Sequence, residues 1–143
     1  MSLKLQPSRA IPCRRKAATI LVVDDDDLVR RFTQTVLKRA GYQVLPAEDG
    51  REALQISKQF REGIHLVLCD VVMPGDLAGP RLVEDLMLMR PDLGVVFISG
   101  FHESPVLRRA LLRPRTGFLA KPFGGQQLLQ KVESALGRFD AVG

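Results

Sequence analysis

No stretch of the chain approaches the roughly eighteen consecutive apolar residues a membrane-spanning helix needs, and the first twenty residues lack the apolar segment of a signal peptide. Cysteine is scarce. Cys13 and Cys69 lie far apart, and Cys69 is embedded in the apolar run LVLCD, which argues against a disulfide framework and for a reduced, cytoplasmic setting. No internal repeat or low-complexity block interrupts the 143 residues, so one domain with a sizeable core is expected. Acid is missing from one place: Lys4, Arg9, Arg14, Arg15 and Lys16 precede Thr19 with no carboxylate among them. Five of the 21 Lys and Arg sit in this segment, and the remaining 16 balance the 16 Asp and Glu, so the formal charge of +5 belongs to the N-terminal stretch. A protein that grips a phosphate backbone carries its excess on a folded face. This excess reads as a tail or linker over residues 1–18, ahead of a domain at 19–138 and a short C-terminal tail at 139–143. Neither direct nucleic-acid binding nor membrane insertion is expected.

What the chain does have is regular alternation. Short apolar runs at 19–23 (TILVV), 42–47 (YQVLPA), 65–70 (HLVLCD), 93–99 (LGVVFIS) and 117–120 (GFLA) are separated by amphipathic stretches. Most runs are continuous, as in strands covered on both faces. The first amphipathic stretch sets Leu28, Phe32 and Val36 at helical spacing and closes on Gly41, a helix C-terminal signal. The second carries Ala53, Leu54, Ser57 and Phe60 in the same rhythm, and the third opens with Pro80 and stops before Pro91. Two more helices follow, and five strands alternating with five helices predict an open, parallel α/β sheet with right-handed crossovers.

Ligands of such sheets bind at the carboxyl ends of the strands. The first strand ends in four aspartates, Asp24 to Asp27, the third in Asp70, the fourth in Ser99 and the fifth in Lys121. Carboxylates gathered at one edge repel and raise one another's pKa unless a cation intervenes. A hard divalent ion resolves this, Mg²⁺ with Mn²⁺ able to substitute. Such an ion with a lysine and a hydroxyl is equipment for a phosphoryl group, whose charge needs neutralising from several directions.

The ordered set VVDD, LCDVVMPG, FISG and FLAKPF resembles the receiver domain of two-component response regulators, most closely the receiver modules of hybrid histidine kinases. The resemblance covers about residues 19–137. It implies a doubly wound, five-stranded, flavodoxin-like (βα)5 fold with strand order 2-1-3-4-5. It also implies Asp70 as phosphoacceptor, followed by Met73 and Pro74. Asp24, Asp25 and Asp70 would hold Mg²⁺ with the Val72 backbone carbonyl. Ser99 and Lys121 would stabilise the phosphoryl group, Ser99 and Phe118 would act as the switch pair, and Lys121–Pro122 would be a cis peptide. The donor would be a phosphohistidine on a histidine kinase or histidine phosphotransfer domain. The output would go to a downstream protein or to parent kinase domains, through the surface of the fourth helix, fifth strand and fifth helix, across which a homodimer stays open. On this view the chain is a signalling phosphoacceptor, not an enzyme with turnover.

Plainer roles stand beside these. Asp24 and Asp25 would also suit a helix N-terminus, the better assignment for Asp26 and Asp27. Ser99 would serve in a turn with Gly100, and Lys121 on the surface. His65 and His102 are expected to be structural, and strand alternation turns Cys69 away from the site into packing. The acid-free run Arg108, Arg109, Arg113, Arg115 and Lys121 is a solvated face or a docking surface for an acidic partner. Departures from the common pattern are one extra residue in "GDLA" before Gly79, and apolar residues at Val72 and Phe101 beside the acceptor. The latter predict a long-lived phosphorylated form. An alternative reads DDDDLV as a haloacid-dehalogenase-like phosphohydrolase motif with Asp24 as nucleophile and Asp26 as acid/base. It leaves Asp70 without a role and finds no acidic pair after Lys121.

Overall fold

A computed structural model describes residues 18–75, 77–100 and 105–137. Strands β1 (Thr19–Val23), β2 (Gln43–Ala47), β3 (Leu66–Asp70), β4 (Gly94–Ser99) and β5 (Thr116–Ala120) alternate with helices α1 (Asp27–Arg39), α2 (Gly50–Gln59), α3 (Gly79–Met89), α4 (Pro105–Ala110) and α5 (Gly125–Leu136). The sheet is parallel throughout, in the order β2-β1-β3-β4-β5, as expected. The three central strands are the continuous apolar runs and are buried along their whole length, whereas the edge strands β2 and β5 are only partly so. Pro46, which lacks a backbone N–H, is tolerated because β2 is an edge.

Alternation along the strands feeds two apolar layers. Ile20, Val22, Leu66, Leu68, Val96 and Ile98 pack under α1 and α5 with Leu37, Leu128 and Val132. Leu21, Val23, Val67, Cys69, Val95 and Phe97 face α2, α3 and α4 with Ala53, Leu82, Leu86 and Leu107. Cys69 thus lies in packing, and burial pushes its thiol up to about 12, so it is inert at neutral pH.

One expected face is wrong. The buried residues of α1 are Thr33 and Leu37; Leu28 is 77% exposed, Phe32 is 43% exposed and Val36 is only partly buried. Helix α1 is rotated so that Thr33 and Leu37 meet the sheet, which leaves the side bearing Leu28, Phe32 and Val36 at the margin of the core. Two glycines shape the same edge. A Cβ on Gly50, at the start of α2, would lie 2.3 Å from the Leu77 carbonyl oxygen. Gly79 adopts φ +55°, with the Val71 carbonyl 3.3 Å from where a Cβ would sit. The loop between β3 and α3 is therefore drawn against α2.

Candidate functional site

Residues that end β1, β3, β4 and β5 meet at one edge. Asp70 is buried at the tip of β3 and both its oxygens are engaged: Oδ1 accepts from the Val72 N–H at 3.1 Å, and Oδ2 accepts from Lys121 Nζ at 3.0 Å. Asp24 is buried too. Its Oδ1 accepts from the Asp26 N–H at 2.9 Å, while Oδ2 has no hydrogen-bond partner and lies 3.5 Å from Lys121 Nζ. Asp25 is exposed, yet ligand oxygens of Asp24, Asp25 and Asp70 all lie within 4.8 Å of one another. Ser99 ends β4 buried beside this group; Ala120 is its partner on β5, and its carbonyl accepts from the Lys121 N–H at 3.1 Å. The Lys121–Pro122 peptide is cis. Phe118 is half-buried on β5, opposite Phe97 and against the α4-side layer.

The electrostatics are those of an undercompensated acidic cluster. Burial lifts the Asp24 carboxyl from 3.8 to about 6; the Asp26 N–H opposes the rise, the Asp70 charge adds to it and Lys121 works against it. For Lys121, burial alone would lower the pKa, but the hydrogen bond to Asp70 and the charges of both aspartates outweigh it and leave the ammonium above its ordinary value. One ammonium shared by buried carboxylates leaves Asp24 Oδ2 unsatisfied. A hard cation bound by oxygen ligands would meet that need, so the donor set fits Mg²⁺.

The aspartate run divides further than the sequence indicated. Asp26 caps α1, its Oδ1 accepting from the Leu28 and Val29 N–H groups. Asp27 pairs with Arg30, whose other terminal nitrogen donates to the Asp24 carbonyl at 2.8 Å. The phosphohydrolase alternative fails here, because Asp26 is spent on the helix terminus and does not join the cluster. His65 lies at the opposite end of β3, its Nδ1 accepting from the Thr19 N–H at 2.9 Å, and burial lowers its pKa. Phe101, His102 and the segment before Ala18 lie outside the described residues, as does position 138 onward. Arg115, at φ +55°, reaches the Ala135 carbonyl at the end of α5, while Arg108, Arg109 and Arg113 are exposed. Sequence reasoning missed Arg30, whose only signal was its three-residue spacing from Asp27. It also missed an apolar groove formed by Leu28, Val29, Phe32, Pro122 and Phe123 that runs up to Lys121.

This fold, with this edge, defines a phosphoryl-handling signalling module. Residues 20–133 match the model of the response regulator receiver domain, and the chain belongs to that family, the receiver class of two-component signalling. Over 124 residues it is 37% identical to the sensor kinase CckA of Brucella abortus, which covers 87% of this chain and 13% of that protein. It is 30% identical to the transcriptional regulatory protein YrkP of Bacillus subtilis, covering 86% of this chain and 51% of that one. The chain therefore spans about half or less of these relatives. Among solved structures, the receiver domain of the hybrid histidine kinase CckA superimposes with a TM-score of 0.69 at 34% identity, covering 83% of this chain and 99% of that one. The chemotaxis protein CheY4 of Vibrio cholerae gives 0.71 at 30% identity, with 82% and 97% covered. Among the described residues no helix is long and apolar enough to cross a membrane.

Proposed function

We propose that Asp70 accepts a phosphoryl group from a phosphohistidine on a histidine kinase or histidine phosphotransfer domain. Asp24, Asp25, Asp70 and the Val72 carbonyl would hold Mg²⁺. The observation that carries this is the contact of Asp70 Oδ2 with Lys121 Nζ at 3.0 Å beside the orphaned Oδ2 of Asp24. A carboxylate oxygen of Asp70 bonds phosphorus as the P–N bond to the donor imidazole breaks, and the bonding pair leaves with the imidazole. Lys121 is already at the oxygen that changes charge, and shifts its hydrogen bond to a phosphoryl oxygen. When bound, Mg²⁺ neutralises negative charge on the transferring group. The contribution of the chain is positioning and charge, as phosphoryl transfer requires. The acyl phosphate then draws the Ser99 hydroxyl, and Phe118 takes up the freed space. This biases the surface of α4, β5 and α5 between two states, which is read by a downstream protein or by parent kinase domains. The chain turns over nothing but its own phosphoryl group.

The test is incubation with Mg²⁺ and acetyl phosphate, followed by borohydride reduction and mass-spectrometric mapping. A Mg²⁺-dependent, acid-stable and base-labile adduct within residues 66–75 is the expected result. Labelling that ignores Mg²⁺, or that maps elsewhere, would defeat the proposal.

The groove beside Lys121 supports a protein donor. A phosphohistidine held over Asp70 brings its parent domain onto exposed Leu28 and Phe32, and the Phe32 ring packs tilted against Phe123 with ring centroids 6.1 Å apart. The Phe32→Asp variant should take phosphate from acetyl phosphate normally but from a phosphohistidine domain roughly tenfold more slowly or worse. Equal slowing with both donors would rule the groove out as a docking surface.

Val72 is 67% exposed beside the acceptor, and neither it nor Phe101 offers a side-chain hydrogen bond to hold an attacking water. The Val72→Asn, Phe101→Glu double variant should therefore lose its phosphoryl group several times faster than the parent chain. Time-resolved decay after donor removal measures this, and equal lifetimes would dismiss the shielding role.

A further inference from the structure

We propose that Arg30 and Asp27 form a brace that positions the Asp24–Asp25 peptide for divalent-cation binding, an inference that rests on the metal-site reading above. Carboxylates on consecutive residues reach one ion only if the peptide between them is held in one orientation. Three bonds fix the Asp24 end: its N–H donates to the Ala47 carbonyl at 3.1 Å, its Oδ1 accepts from the Asp26 N–H, and its carbonyl accepts from Arg30 Nη1 at 2.8 Å. The last of these bonds acts on the peptide that joins Asp24 to Asp25. Asp25 is exposed, and among the described residues no hydrogen bond anchors its carboxylate. Its place within reach of Asp24 and Asp70 is therefore set by the backbone that Arg30 holds.

Asp27 completes the brace. The Arg30 side chain is only 11% exposed, and the fork formed by its two terminal nitrogens spans the Asp24 carbonyl and the Asp27 carboxylate. The Asp27 side chain is 67% exposed, so the pair itself contributes little to stability. What it does contribute is direction. It aims the rigid guanidinium fork at the carbonyl, and it engages a cation that would otherwise swing toward Asp25 and compete with the metal. Arg30 is thus a positioning residue, acting through the Asp24 carbonyl.

At Arg30 charge and position predict opposite signs, which makes the inference testable. A purely Coulombic role predicts that removing a cation beside the site tightens Mg²⁺ binding. The brace predicts that Arg30→Met weakens it roughly tenfold, as loss of a partner that orients metal ligands does. Calorimetric Mg²⁺ titration of the wild-type chain, Arg30→Met, Asp27→Asn and the double variant reads this out, with exposed Arg31→Met as the charge-only control. Expected are weaker binding in both single variants, a double variant no worse than Arg30→Met, and no weakening in Arg31→Met. Mg²⁺ affinity unchanged or tighter in Arg30→Met overturns the brace. If Arg30→Met does not fold, Arg30→Lys decides in its place, because it keeps the charge and loses the fork, and unchanged affinity there overturns the brace. A wild-type chain that binds no Mg²⁺ overturns instead the metal-site reading beneath it.

Discussion

The Asp70→Asn variant is expected to fold, to bind Mg²⁺ more weakly, and to incorporate phosphoryl groups at less than roughly a thousandth of the wild-type rate, as loss of a sole nucleophile entails. The amide oxygen keeps the acceptor that the Val72 N–H uses at 3.1 Å. No buried backbone donor is therefore left bare, which makes gross unfolding the wrong explanation for lost labelling. Two secondary consequences follow from the geometry. Lys121, deprived of its 3.0 Å partner, turns to Asp24 Oδ2, already 3.5 Å away. The Asp24 carboxyl then drops from about 6, because the Asp70 charge is among the causes that raise it. Acetyl phosphate labelling measures the first effect, and carboxyl-carbon NMR titration of Asp24 measures the second. Full labelling of Asp70→Asn, with loss of labelling in Asp24→Asn, would move the acceptor to β1 and reject the mechanism.

Why the edge was readable in the sequence while its surroundings were not is a question of range. A central strand of a parallel sheet is a continuous apolar run because both faces are covered. Its end is therefore marked by the first charged or hydroxyl residue, as at Asp24, Asp70 and Ser99. Topology then does the rest, bringing Lys121 to Asp70 across 51 residues of chain. The buried face of α1 was not readable, because Leu28, Phe32 and Val36 satisfy helical spacing as well as Thr33 and Leu37 do. Only the rotation of the helix against the sheet distinguishes them. The contact between Gly50 and Leu77 depends on two loops meeting, so no local signal encodes it. Arg30 lies between these cases: its spacing from Asp27 is a local signal, but the Asp24 carbonyl it grips becomes visible only once the first turn of α1 is placed.

The Asp24→Asn variant is expected to be more stable than the parent chain without metal and to lose most of the stabilisation Mg²⁺ confers. A buried carboxyl with a folded-state pKa of about 6, against 3.8 when free, binds its proton more tightly in the folded state. Its stabilising contribution is complete below about pH 4 and lost as pH rises through about 6. At neutral pH the metal-free chain thus carries a penalty on the order of 2–3 kcal/mol, and the structure shows its origin in Asp24 Oδ2, buried without a hydrogen bond. An asparagine keeps the oxygen that accepts from the Asp26 N–H and presents a neutral amide where the orphaned oxygen was, with Asp70 as its acceptor. Melting temperature in chelator at pH 7 should rise by roughly 5 °C or more. The fall in stability that this pKa predicts for the parent between pH 4 and 6 should flatten in the variant. Saturating Mg²⁺ stabilises only the state that binds it, by an amount set by its affinity, so the parent should gain strongly and the variant little. Equal protection of both by Mg²⁺ would remove Asp24 from the metal's ligands. A variant less stable than the parent at pH 7 would mean that Lys121 compensates the buried charge by itself.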